Sequence, residues 1–291
     1  MNSAATVPRP STAVPATAPA RPRRIVHQSQ GRRHGPITRL VSPHDLGERI
    51  KPFVFLDHGT LPPTGGTFFG IHPHSGIATL TLALVGRLDY EDTTGQSGTV
   101  AAGGLEWMQA AAGAWHDGRV PGPEPLSFFQ LWLALPAERE NAAPLGQHVA
   151  PQDVPRVGPV SVLLGDYAGA ASPIQAPDGV RYFHVQLADG QAWRYQPAAG
   201  HEVAWIAVHQ GVAKAPTPVR AGEIAVFDAS DAALHFVAQG ATSFVIGIAA
   251  PHPHPLVTGY YSVHTSAEAL QRGEAEIARI GERLRAAGRI A

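Results

Sequence analysis

Glycine and proline punctuate this chain so densely that long helices are confined to one end: 31 glycines and 27 prolines are spread over 291 residues. Proline removes a backbone donor and glycine admits the left-handed turns that end a strand, so the segments between them are short. Those segments read as strands. In "ATLTLALVGRLDY" (78–90), Leu80, Leu82, Leu84, Leu88 and Tyr90 share one parity while Thr79, Thr81, Arg87 and Asp89 share the other, with Gly86 at a bend. This is the period-2 pattern of a strand. Further candidates are "FFQLWLAL" (128–135), "RYFHVQLA" (181–188), "EVAWIAVH" (202–209), "EIAVFD" (223–228) and "SFVIGIA" (243–249). Many short strands with frequent turns predict an all-β fold of sandwich or barrel type. One helix is predicted near the C-terminus. Thr265 and Glu268 have capping-box spacing, and Leu270, Ile277, Ile280 and Leu284 share a face. Gly273 and Gly281 weaken that helix, so it is expected to be docked.

A short internal repeat suggests two copies of one β-module. Val100-x-Ala102-Gly103-x-Leu105-x-x-Met108 recurs as Val219-x-Ala221-Gly222-x-Ile224-x-x-Phe227, and the same offset sets His116 opposite His235. The expected organisation is a disordered leader over 1–24, a first module over 25–135 and a linker over 136–157. A second module over 158–291 carries the C-terminal helix. The leader is rich in Ala, Pro, Ser and Thr and has no apolar core of a secretory signal. Its cluster Arg21, Arg23 and Arg24 reads as a solvated tail. A net charge of −1 and the lack of a long apolar run argue against direct nucleic-acid binding and membrane insertion. A monomeric cytoplasmic protein is expected.

With no cysteine and fifteen histidines, any site for a borderline-soft metal must be built on imidazole. In "IHPHSG" (71–76), His72 and His74 lie two apart, so in a strand both rings point to one face. If no bulge intervenes, they are in phase with Leu80, Leu82 and Leu84 and face the same interior. The bland alternative is a loop in which both rings are hydrogen-bonded. His116, in "EWMQAAAGAWHDG" (106–118), is the candidate third ligand, and it also reads as an ordinary core or surface histidine. "PHPHP" (251–255) reads as an extended surface segment, because alternating prolines disfavour a paired strand.

The stretch from "FVFLDHG" through "GIHPHSGIATLTLALVG" to "EWMQAAAGAWHDG" (53–118) resembles the N-terminal cupin of the pirin family. The half running from "GDYAG" to "PHPHPLVTGYYSVHTSAEAL" is similar to the family's second cupin. The resemblance implies two tandem cupin (jelly-roll-like) β-barrels with a C-terminal helix, and a single metal in the first cupin. The metal is expected to be iron, with Zn, Ni, Mn or Cu as alternatives, held by His72, His74 and His116. The family's fourth ligand is a glutamate in the pattern H-x-E, and here Gly118 stands in its place. The family also tends to carry Glu where this chain has Ala78. Asp117 is then the nearest carboxylate and the candidate catalytic residue, although in a regular strand it points away from His116. The second cupin, with no H-x-H near Pro197 and Ala199, is expected to lack metal. The implied activity is a quercetin 2,3-dioxygenase-like oxidation of a small aromatic substrate by O2. The alternatives are a non-catalytic metal- or redox-sensing protein working through a protein partner, and a degenerate metal-free cupin.

Overall fold

The computed structural model describes residues 23–63 and 70–290, so the leader expectation for residues 1–22 lies outside the described residues. Within them the fold is all-β with one long helix, as expected. A seven-stranded sheet runs in the order Leu145–Val149, Leu105–Gln109, Ile77–Val85, Leu126–Ala134, Phe53–Leu61, Ile37–Val41 and Arg32–His34. A four-stranded sheet (His72–His74, Ala114–Arg119, Arg87–Asp92 and Ser97–Ala101) completes the first module. A nine-stranded sheet forms most of the second, and the neighbouring strands are antiparallel throughout.

The repeat has a structural basis. Gly103 and Gly222 occupy the same left-handed turn, with φ of 86° and 83°. In each copy a buried valine precedes the turn and a buried Leu105 or Ile224 follows it. A side chain at either glycine would be strained there, which explains why the motif keeps this residue.

The two large sheets pack face to face. Leu80, Leu82, Trp107, Leu131 and Leu133 of the first meet Leu163, Tyr182, Trp205, Ala207 and Val245 of the second in one continuous core. Phe53 stands edge-on to Trp205 at 5.3 Å. Strands at this contact are buried on both faces. Ile77–Val85 is closed from solvent over its first seven residues, and Leu234–Ala249 passes from alternating burial to eight consecutive buried residues. Such a strand reads as an apolar run where its two faces meet different cores.

This corrects the parity argument. Leu80 and Leu82 face the second module, whereas Thr79 and Thr81 are on the opposite face of the strand, toward the interior of the first module. The histidines do not share the leucines' environment, because Gly76 (φ 74°) breaks the chain between two strands of different sheets. Leu88 and Tyr90, beyond Gly86, belong to the interior cluster with Val100 and Phe128.

Several segments lie where the sequence did not place them. The expected linker contributes Leu145–Val149, which pairs with Leu105–Gln109 in the first sheet. Ile25–Ser29 crosses to the second module and pairs with Ile224–Phe227. Arg23 is not a solvated tail residue. It is 3% exposed, and its guanidinium donates to the carbonyls of Glu202 (2.7 Å) and Asp228.

The helix Ala267–Ala286 starts one residue later than the capping-box spacing implied. Ser266 is the cap, accepting from the Ala269 N–H, while Thr265 binds Glu140. The helix packs on the first module. Trp115 Nε1 donates to the Ile277 carbonyl at 2.9 Å, and the two weakening glycines are the contact points. A β-carbon at Gly281 would lie 2.9 Å from Trp115, and one at Gly273 would meet Ser75 and His264 at under 3 Å. Close approach, not flexibility, accounts for both.

Across the contact between modules, His58 Nε2 lies 3.0 Å from His209 Nδ1. One ring must donate and the other accept, and protonating both would bring two donors together. Burial, helped by His209, lowers the His58 pKa to about 4. The folded value lies below the unfolded one, near 6.5, so this contribution is complete above that value and is lost as pH falls toward 4. In urea unfolding at pH 7 and pH 4.5, His58→Gln should lose less stability than wild type on acidification, by about 2 kcal/mol. Equal losses would show that the pair is not pH-sensitive.

Candidate metal centre

The three predicted histidines converge. His72 and His74 lie on a three-residue strand that pairs with Ala114–Arg119, with His116 directly opposite His72 and Ala114 opposite His74. One side-chain nitrogen from each lies within 4.8 Å of the other two. The Nε2 atoms of His72 and His116 are 3.1 Å apart. Two nitrogens each at ~2.1 Å from one ion and at right angles would be ~3.0 Å apart, so the spacing suits shared coordination.

The rings are aimed by their other nitrogens. His72 Nδ1 donates to the Gly70 carbonyl at 2.9 Å, and His74 Nδ1 to the Tyr261 carbonyl at 3.0 Å. Each bond fixes the tautomer with Nε2 unprotonated, the form that binds a metal. Burial lowers all three pKa values, and mutual proximity adds to this for His74 (to about 3) and for His116. Neutral imidazoles in a buried cluster suit a divalent cation, since binding has no proton to displace. The donor set therefore fits the expected group, with His72, His74 and His116 as its holders.

The Tyr261 carbonyl is itself held by a buried network. Ser75 Oγ donates to Ser262 Oγ (2.8 Å) and lies 3.0 Å from His264 Nε2, while His264 Nδ1 faces Glu140 at 3.1 Å. Glu140 also accepts from the Thr265 N–H and hydroxyl. A serine–histidine–carboxylate series usually suggests a nucleophile, but Ser75 and His264 are buried away from the cavity, which neither lines. No substrate reaches this serine. The network serves as a rivet joining the segment after the second module to the histidine strand.

Asp117 does not join the cluster. It lines the same cavity, but its Oδ1 accepts the N–H of Gly118 at 2.8 Å. Gly118 shares the face of His116, as the family pattern requires of its glutamate, but a β-carbon there would come 3.1 Å from Leu88 Cδ1. Leu88 must shift by a few tenths of an ångström for a side chain to stand at this position. The second module holds no such histidine group among the described residues. His235 is exposed, His201 binds Arg181, and Trp193, Tyr195, Phe183, Phe236 and Phe244 fill the interior. The "PHPHP" segment forms no strand, but His252 is buried (8%), where a surface segment was expected, with Nε2 3.4 Å from the Leu135 carbonyl.

The triad opens into a cavity of about 400 Å³. Phe55 stacks on Trp132 at 4.0 Å, and Arg39 sits over Phe55 while pairing bidentately with Asp57. Tyr260 and Tyr261 stand at the cavity, and Thr81, Glu106 and Gln130 form a polar wall. Glu106 and Gln130 carry no local sequence signal. Thr81 does carry one, as a polar residue on a strand buried on both faces.

Elemental analysis should find at most one transition-metal ion per chain, and none in the double variant His72→Ala, His74→Ala. Gly118→Glu should raise iron affinity only when combined with Leu88→Ala, because Leu88 occupies the space above residue 118. Tighter binding by the single variant would show that Leu88 yields unaided.

Comparison with known proteins places this architecture. The pirin family model matches residues 34–133. A Pseudomonas aeruginosa protein provisionally named a quercetin 2,3-dioxygenase is 29% identical over 241 residues, covering 77% of this chain and 84% of that protein. A pirin-like protein of Caulobacter vibrioides is 32% identical, covering 60% of this chain and 66% of that protein. Among solved structures, a quercetin 2,3-dioxygenase from Acinetobacter baumannii superposes with a TM-score of 0.82 at 22% identity, covering 89% and 98% of the two chains. The Escherichia coli pirin YhhW, solved in complex with nickel(II), superposes at 0.63 with 20% identity, covering 75% of this chain and 94% of that one. The first module thus carries a pirin-family domain, and the chain shares the tandem cupin fold of these solved structures.

Proposed function

We propose that this protein is a metal-dependent, quercetin 2,3-dioxygenase-like pirin acting on a small enolisable aromatic. The observation that carries the reading is the neutral His72–His74–His116 triad facing a 400 Å³ cavity with aromatic walls. Clefts of a few hundred Å³ suit molecules of flavonoid size. A bound divalent metal, iron first, would supply Lewis-acid polarisation of the substrate oxygens and redox chemistry toward O2.

The chain's own residues bind and orient the substrate. The Phe55–Trp132 stack and the Tyr260–Tyr261 pair offer flat apolar surface for a planar ring system. The Arg39–Asp57 pair supplies fixed donors and acceptors at one side of the cavity. Asp117 follows His116 directly and lines the same cavity, so it is the acidic side chain nearest the triad in sequence. We take the working unit to be a cytoplasmic monomer, with O2 and the aromatic as its partners. Among the described residues no helix is long and apolar enough to cross a membrane.

A second reading is supported by Gly118. Without an anionic ligand, three neutral imidazoles leave the ion's charge uncompensated, which suits a metal- or redox-sensing protein that signals to a protein partner. Oxygen uptake separates the two. Iron-loaded protein given quercetin should consume O2 well above the rate of the triad double variant. Stoichiometric metal with no uptake above that control would favour the sensing reading.

A further inference from the structure

The cavity holds one carboxylate that the coordination geometry does not use. Glu106, on Leu105–Gln109, is 2% exposed and lines the same cavity as the triad. Its Oε2 accepts from Thr81 Oγ1 at 2.7 Å, while its Oε1 is buried and has no hydrogen-bond partner among the described residues. Thr81 Oγ1 also lies 2.7 Å from Gln130 Oε1, and Gln130 Nε2 is likewise buried without a partner.

One hydroxyl proton cannot serve two acceptors, and this fixes what the trio can be. In one arrangement Glu106 is a neutral acid, donating to Thr81, which donates to Gln130 Oε1. In the other the Gln130 amide is turned about, its NH2 donates to Thr81, and Thr81 donates to an ionised Glu106. The orientation of a glutamine amide follows its network, so both arrangements share one set of heavy-atom positions. The chain of three therefore accommodates the carboxyl with or without its proton.

The surroundings bias it toward the middle of the pH range. Burial raises the Glu106 pKa to about 7, Asp92 adds to the rise and the Thr81 bond opposes it. Tyr90 faces the group from Arg87–Asp92, and its own pKa is raised by burial and by Glu106. His148 lies opposite in register on Leu145–Val149. Among the described residues no cation pairs with Glu106.

We propose that Glu106 is the acid–base group of this cavity, accepting the acidic enol proton of a bound aromatic on Oε1 and later returning it to the product. The inference rests on the proposed function. In the forward step the substrate O–H bond breaks and an Oε1–H bond forms. The negative charge passes from the carboxylate to the substrate oxygen, and Thr81 goes on donating to Oε2, now the carbonyl oxygen of the neutral acid. The return step restores the carboxylate, and neither transfer involves an oxidant. Glu106 thus supplies the base that a coordinating glutamate would have provided, displaced from the coordination shell to the facing sheet.

The probe is quercetin, bound without oxygen to iron-loaded protein and followed by the red shift of its absorption on loss of a hydroxyl proton. Glu106→Gln keeps the shape and a partner for Thr81. It should hold wild-type metal and melt normally, yet leave bound quercetin protonated near pH 7.5 and lower oxygen uptake by ~100-fold or more, the range expected for loss of a general base. Thr81→Val removes the bond that lowers the Glu106 pKa, so it should move the pH profile of deprotonation upward. Glu106→Gln protein that deprotonates quercetin with the wild-type profile would overturn the role of Glu106 and leave the proposed function standing. Wild type that binds no quercetin would overturn both.

Discussion

The core between the two large sheets is the constraint on which the rest of the structure depends. Each module has one sheet with both faces buried, one against its own interior and one against its neighbour. Leu80 and Leu82 meet the second module while Thr81, between them, faces the cavity of the first. A single strand therefore carries the adhesive surface of the molecule on one side and part of the candidate site's polar wall on the other. Emptying a leucine from such a core costs about 2–5 kcal/mol, and the strain falls on a strand whose other face positions Thr81.

The candidate centre follows from burial as much as from residue type. Three imidazoles close together in water would compete for protons and repel once charged. Here desolvation removes the charge, and backbone carbonyls at Gly70 and Tyr261 fix which nitrogen of His72 and His74 stays unprotonated. The same desolvation acts oppositely on Glu106, whose carboxyl it holds protonated more readily. One apolar environment thus prepares neutral bases at one wall and a weak acid at another.

The parts that were legible in the sequence are those set by local rules. Strand periodicity, the glycine turn of the repeat, the helix and the H-x-H spacing each depend on a few consecutive residues. His116 became a ligand candidate through a family resemblance and not through spacing alone. The failures have a common cause in contacts between distant segments. Parity could not tell which face of Ile77–Val85 met which core, because both faces are buried. A polar, proline-rich composition hid Leu145–Val149, an edge strand that needs only one side covered. Arg23 looked solvated because its acceptors, two backbone carbonyls, carry no sequence signal. Glu106 was hidden in the apolar pattern of its strand for the same reason: its partners come from two other strands.

The crossing of the chain's outer segments bears on how the molecule is made. Ile25–Ser29 emerges early in synthesis, yet its pairing partner is Ile224–Phe227, and the carbonyl that orients His74 belongs to Tyr261. The first strand must wait on the ribosome while some two hundred residues follow, and His74 lacks its orienting contact until the second module has appeared. His74 therefore gains its orienting contact only once the segment through Tyr261 has been made. A product ending before Tyr261 would carry all three histidines but lack the carbonyl that orients His74.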